Sequence, residues 1–282
     1  MRILLTGSRG FVGSRVRDTL DVVEAPSLRG LGEDQLKALL DRVQPDAVIH
    51  TAAMSDIGAC AADPEGSRTA NVTQPVDLAR YARGAKLVFF SSDQVYGSRP
   101  SEAPFLEADT APENLYARQK LEMENRVLDI CPEAVMLRAT WMYDMPRYGV
   151  PNRMNLLTLL LRAAATGETL RFSAVQRRGV TYVREVAENL QKALSLPGGA
   201  YNFGSECAVS MFEAAEEMAR DLGLRLLIVP EHDRAGDLWM DCGKLRRAGI
   251  AFSDTNAGMR RCARDYSLHL ITGGNPDVHK EE

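Results

Sequence analysis

Tyr116 and Lys120 stand four residues apart in the run Tyr116-Ala117-Arg118-Gln119-Lys120, inside a helical pattern that Pro112 introduces. Residues four apart share a helix face, so a phenol and an amine can point at one site. A phenol ionises near pH 10 and exchanges protons poorly at neutral pH. Bringing that value to ~7 takes about 4 kcal/mol, which neighbouring cations can supply. Alone, such a pair is common by chance. Ser92 adds a third group, closing the apolar run Leu87-Val88-Phe89-Phe90-Ser91. The carboxyl edge of a strand is where α/β sheets place ligands, and a hydroxyl there can donate to a substrate oxygen. Together the three could pass a proton to or from an oxygen held at a sheet edge.

A second cluster is Thr6-Gly7-Ser8-Arg9-Gly10-Phe11-Val12-Gly13, between a strand pattern and a helix pattern. Gly7 permits a tight turn, Gly10 a close approach of backbone to pyrophosphate, and Gly13 close packing of helix on strand. The helix N-terminus offers free N–H groups and positive dipole. This is a dinucleotide loop, with Gly7, Ser8, Arg9, Gly10, Phe11 and Val12 as candidate contacts. A nicotinamide ring is then a second cation for the phenol. A carboxylate near the end of the second strand would suit NAD(H). Glu24 is available, but the pattern places it inside that strand. Ser27 and Arg29 follow, and with Arg9 they suit a 2′-phosphate. NADP(H) is therefore favoured, and NAD(H) is the alternative.

The elements needed to hold these groups can be read around them. Strands are expected at Arg2–Leu5, Asp21–Ala25, Ala47–His50, Lys86–Ser91 and Ala134–Arg138. Helices are expected at Phe11–Leu20 and Glu33–Val43, after Asn71-Val72-Thr73-Gln74, and from Pro112 to about Asp129. Leu87–Phe90 is apolar without alternation, as in a parallel strand covered on both faces. The expected fold is α/β, a Rossmann-like doubly wound parallel sheet with a smaller C-terminal α/β substrate-binding part. Residues 1–143 form the dinucleotide-binding domain, with strand–helix returns at about 177–204. Residues 144–176 and 205–272 form the substrate-binding part, and 273–282 a flexible tail. In the second part, helices are expected at Asn155–Thr166, Ser210–Gly223, near Lys244 and at Thr255–Leu270. Strands are expected there at Thr169–Phe172 and Arg225–Val229, and Ala200–Phe203 should be another.

The 282 residues carry a net charge of −4, which gives no basic footprint for nucleic acid. No stretch approaches the ~20 apolar residues of a membrane span, and the first apolar run is too short for a secretion signal. Five cysteines without CxxC spacing read as free thiols of a reducing compartment, so the expected location is cytoplasmic. The four histidines share no ligand spacing, and no metal is expected.

These motifs resemble the short-chain dehydrogenase/reductase superfamily. The GxxGxxG spacing and the run Pro45-Asp46-Ala47-Val48-Ile49-His50-Thr51-Ala52-Ala53 resemble its extended branch. So do Asn71, Arg178-Gly179-Val180-Thr181-Tyr182-Val183 and Tyr201-Asn202-Phe203-Gly204-Ser205. The resemblance implies Ser92, Tyr116 and Lys120 as the catalytic triad. It also implies cofactor contacts from Ala52, Ala53, Ser91, Tyr116 and Lys120. Within that branch, Arg138-Ala139-Thr140-Trp141-Met142-Tyr143 and the segment from Arg234 to Leu245 resemble dTDP-4-dehydrorhamnose reductases. That implies reduction of a 4-keto deoxysugar nucleotide, with Tyr116 as proton donor. Ser92, Asp93, Gln94, Trp141, Asn155, Gln176, Arg178 and Arg234 would meet the substrate. A monomer or homodimer is implied.

The chain departs from the pattern in three places, one of them the run Met145-Pro146-Arg147-Tyr148-Gly149, which is longer than the usual loop. Ala235 follows Arg234 where the family has proline, and Ile57-Gly58-Ala59-Cys60-Ala61 lacks the family's acidic residues. Metal ligands known from some members therefore do not carry over. Gln94 stands where sugar-nucleotide dehydratases have a glutamate, and an amide cannot shuttle a proton. Two other readings remain. One is an NAD-dependent sugar-nucleotide epimerase. The other is a non-catalytic regulatory subunit of the kind that methionine adenosyltransferase uses.

Overall fold

The computed structural model describes residues 1–97, 103–150, 154–232 and 236–268. The first half runs β1 (Ile3–Thr6), α1 (Phe11–Thr19), β2 (Val23–Glu24), α2 (Glu33–Val43) and β3 (Ala47–His50). Two short helices, α3 (Ile57–Ala62) and α4 (Pro64–Arg68), and a π-helical turn at Thr69–Thr73 lead into α5 (Gln74–Tyr81). Then come β4 (Lys86–Ser92), a 3₁₀ turn at Asp93–Tyr96, α6 (Leu115–Ile130), β5 (Val135–Ala139) and β6 (Trp141–Tyr143). The second half adds α7 (Leu156–Thr166), β7 (Leu170–Ser173), β8 (Val180–Tyr182), α8 (Val183–Ala193) and β9 (Gly199–Phe203). It ends with α9 (Met211–Asp221), β10 (Ile228–Glu231), α10 (Gly243–Arg247) and α11 (Thr255–Asp265).

Six strands form one parallel sheet in the order β2-β1-β3-β4-β5-β9. The order reverses between β1 and β3, and the crevice beyond their carboxyl ends is where such sheets bind ligands. One face packs on α1 and α8 through Val16, Val186 and Leu190. The other packs on α2, α5 and α6 through Leu40, Val76 and Met123. The central strands are buried on both sides, which explains their unalternating apolar runs. A separate cluster gathers Leu157 and Leu160 of α7, Tyr182 of β8, Met218 of α9 and Met259 of α11. Two parallel strand pairs, β6 with β8 and β7 with β10, lie outside the main sheet.

Several boundaries differ from the sequence reading. Strand β2 is only two residues, both exposed, because it sits at the sheet's edge. Helix α6 starts at Leu115, three residues after Pro112. There the Asn114 carboxamide accepts from Ala117 N at 2.9 Å and fixes the start. Ser210 caps α9 in the same way, from outside the helix. Strand β10 begins at Ile228, where it pairs with Leu170, three residues later than expected. The expected tail and the end of the last expected helix lie outside the described residues.

Candidate active site

The glycine turn follows from sterics. Gly7 has φ of 75°, and a Cβ there would sit 2.7 Å from Ala52 N. A Cβ on Gly13 would lie 2.0 Å from Gly7 O, so the helix can approach the strand this closely only with glycine. Gly10 is the N-cap of α1 and offers no side chain to its first N–H groups. Those donors are left for a ligand.

A cleft of about 1060 Å³ opens over this turn. Gly7, Ser8, Arg9, Gly10, Phe11 and Val12 line it, and so do Ala52 and Ala53 from beyond β3. Ser27 and Arg29 form one end, and Ser91, Tyr116 and Lys120 another. Two further charged residues line it. Glu24 ends β2 and faces the cleft rather than lying inside a longer strand, with Arg17 3.9 Å away. Arg42 arrives from the last turn of α2, and no local sequence signal marks it.

Helix α6 presents Tyr116 and Lys120 on one buried face, 7% and 2% exposed. The Lys120 ammonium donates to the Phe90 carbonyl at 2.8 Å and lies 5.9 Å from the centre of the Tyr116 ring. Burial pushes the Lys120 pKa down to about 8, against the pull of Glu124 and Cys60. A base poised there can release or take a proton near neutral pH. Ser91 Oγ is buried in the cleft wall and has no hydrogen-bond partner among the described residues. Ser92 is not part of that wall. Its hydroxyl accepts from Gln94 N at 3.2 Å, heading the 3₁₀ turn, and donates to Asp93 Oδ1 at 3.2 Å.

The expected substrate residues divide into two groups. Asp93, Arg178 and Trp141 come together: Arg178 Nε and Nη2 bind the Asp93 carboxylate at 2.8 and 3.1 Å. The same guanidinium lies 5.6 Å over the Trp141 ring. It is oriented by a carboxylate rather than left as a free cation. Gln94 is held at its carboxamide oxygen by Asn114 Nδ2 at 3.1 Å. Asn155 and Gln176 each bond to backbone. Asn155 is 3% exposed, caps α7 by accepting from Thr158 N and donates to the Asp144 carbonyl at 2.9 Å. Gln176 donates to the Gly236 carbonyl at 2.9 Å. Arg234 lies outside the described residues.

Asn71 is fully buried and clamps the Met54 backbone from both sides, accepting from its N–H and donating to its carbonyl, each at 2.9 Å. This fixes the loop past β3 that walls the cleft. His50 is bonded to Thr6 Oγ1 through Nδ1 at 2.7 Å, and burial, aided by the Lys120 charge, pushes its pKa down to about 3. It is a neutral structural group. Asp144, which the sequence reading passed over, joins Arg15, Tyr266 and Arg147.

Comparison with known proteins gives one consistent answer. Residues 1–235 match the family model described as RmlD substrate binding domain. The dTDP-4-dehydrorhamnose reductase of Mycobacterium tuberculosis is 29% identical over 237 residues, covering 79% of this chain and 76% of that one. Methionine adenosyltransferase 2 subunit beta of Danio rerio is 27% identical over 201 residues, covering 66% and 61%. Among solved structures, dTDP-4-dehydrorhamnose reductase of Bacillus anthracis in complex with NADP superposes with a TM-score of 0.82 at 20% identity, covering 94% and 98%. The glycine turn, the parallel sheet and the Tyr116–Lys120 helix thus belong to a chain of the RmlD substrate-binding-domain family, within the extended short-chain dehydrogenase/reductases.

Proposed function

We propose that the protein is an NAD(P)H-dependent oxidoreductase that reduces the ketone of a 4-keto deoxysugar nucleotide. The observation that carries this reading is the buried Lys120, one turn from Tyr116, in the wall of a cleft floored by the glycine turn. The glycine turn and the free N–H groups of α1 fit a pyrophosphate, since glycine at 7 and 13, where a Cβ would strike Ala52 N and Gly7 O, keeps the turn tight beneath the helix N-terminus. When bound, the reduced nicotinamide supplies the hydride.

The chain's own groups do the rest. Ser92, which heads the 3₁₀ turn beside Asp93, donates to the substrate oxygen once its hydroxyl turns away from Asp93 Oδ1. Tyr116 delivers the proton to that oxygen as it gains charge. Lys120 holds positive charge beside the phenol, which favours its ionised form and so eases proton release. Asp93 holds the Nε and Nη2 edge of Arg178, whose face lies over Trp141 and whose Nη1 is the nitrogen that remains for an anionic substrate. At the far end Arg9, Arg29 and Arg42 outnumber Glu24, so the cleft favours a 2′-phosphate, and Glu24 can still take a ribose hydroxyl. On this reading the enzyme works in the cytoplasm, as a monomer or homodimer, and its five free thiols fit a reducing compartment.

The test is NADPH consumption with a panel of 4-keto-6-deoxyhexose nucleotides. Turnover with at least one member is the expected result. Cofactor binding without turnover on any member would instead favour a non-catalytic partner subunit.

A further inference from the structure

On helix α6 the stripe Tyr116, Lys120 continues one turn further to Glu124, and all three are buried. Glu124 is 1% exposed, yet it does not pair with Lys120. Arg138 of β5, 4% exposed, takes it instead: Nε reaches Oε1 at 3.0 Å, and Nη2 reaches Oε2 at 2.6 Å. Its remaining nitrogen, Nη1, donates to Tyr96 Oη at 3.0 Å and to the Glu107 carbonyl at 2.6 Å. Tyr96 ends the 3₁₀ turn that Ser92 heads. One guanidinium therefore ties the helix of Tyr116 and Lys120 to the turn of Ser92.

We infer that Arg138 is a positioning residue for the proposed proton-transfer site: by holding Glu124, it keeps that carboxylate from Lys120 and sets the charge around the Tyr116–Lys120 pair. The electrostatics follow from counting charges. Seen from Lys120, Glu124 and Arg138 together are neutral. Removing Arg138 leaves one buried negative charge one turn from Lys120, where i,i+4 side chains meet. Removing the Glu124 charge leaves one positive. The other titratable groups that face Lys120 are Tyr116 on its own helix, Cys60 of α3 and His50 of β3. His50 stays neutral and Cys60 stays a thiol, because burial pushes its pKa up. The Glu124–Arg138 pair is thus the lever on this site's charge. The inference rests on the functional reading only in taking Tyr116 and Lys120 as the reacting pair.

The test uses Arg138→Met, Glu124→Gln and the double variant in the full-length chain. Two readouts are followed: the alkaline limb of kcat/KM, and the ionisation of Tyr116. The latter is measured without substrate, as tyrosinate absorbance minus that of the same protein carrying Tyr116→Phe. Arg138→Met moves both upward by about one pH unit, Glu124→Gln moves both downward, and the double variant returns both to within a few tenths of wild type. A merely structural role would lower the melting temperature and leave the limb in place. Should Arg138→Met not fold, the downward shift in Glu124→Gln and its reversal in the double variant decide the matter. Unmoved limbs, or shifts of one sign in both single variants, overturn the inference. If Tyr116→Phe itself keeps full turnover, the functional reading fails instead, and the tyrosinate titration still tests the charge argument.

Discussion

The Asp144 carboxylate lies 2.5 Å from the Arg15 guanidinium, joining the segment after β6 to the helix that opens at the glycine turn. Tyr266, beyond α11, donates to the same carboxylate at 2.8 Å. Three segments distant in sequence thus close on one carboxylate that is 2% exposed. Removing one member of a buried pair leaves the other charge uncompensated. Asp144→Asn is expected to lower unfolding free energy on the order of 3 kcal/mol. Urea unfolding monitored by circular dichroism checks this, and a loss below 1 kcal/mol would show that water already screens the pair.

The glycine turn gives a steric prediction. Gly13→Ala puts a methyl 2.0 Å from Gly7 O and 2.7 Å from Thr51 Oγ1. Neither neighbour can retreat without moving β1 or the loop past β3. NADPH fluorescence enhancement should vanish in Gly13→Ala, together with a fall in melting temperature. Normal binding would show that α1 can shift away from the strand.

Cofactor choice is read from the far end of the cleft. Arg29→Ala removes one charged donor for a 2′-phosphate, and hydrogen bonds to charged groups contribute roughly 1.5–3 kcal/mol. The dissociation constant for NADPH should rise at least about tenfold, with that for NADH within about threefold of wild type. Glu24→Gln should do the reverse, weakening NADH more. Equal effects on both cofactors would place these residues away from the 2′ position.

His50 sets an acid limit on stability. Its folded pKa, about 3, lies below the ordinary value of 6.5. Between those values the unfolded chain binds the proton and the folded chain does not, so stability falls as pH drops below 6.5. At ~1.4 kcal/mol per unit, acidification to pH 5 should cost about 2 kcal/mol through this residue. His50→Gln, which cannot titrate, should flatten that slope in urea titrations at several pH values. An unchanged slope would assign the acid sensitivity to other groups.

Much of the fold and part of the site were legible because they obey local rules. The glycine spacing is a local motif, although Ala52 and Thr51 from beyond β3 also press on it, and Tyr116 and Lys120 share a face by helical period alone. The buried parallel strands announce themselves by unbroken apolar runs. Other features depend on partners far along the chain. Asp144 meets Arg15 129 positions away. Arg138 finds Glu124 only because β5 lies beside β4 and beneath α6. Glu24 was misjudged because an edge strand ends as soon as pairing stops, which no composition signal marks. Asn155 was expected at the substrate because the resemblance suggested it. In the structure its amide caps α7 and holds the Asp144 carbonyl, as asparagine before a helix commonly does.

Where the hydride goes separates a working reductase from a protein that only binds the cofactor. The most direct measurement supplies NADPH deuterated at the transferred position with a 4-keto-6-deoxyhexose nucleotide, and follows deuterium at C4 of the sugar by mass spectrometry. The expected result is one deuterium per product from the wild-type protein and a rate lower by about 10² or more in Tyr116→Phe, with NADPH affinity kept. No deuterium in the sugar despite bound cofactor, or an undiminished rate in Tyr116→Phe, would contradict it.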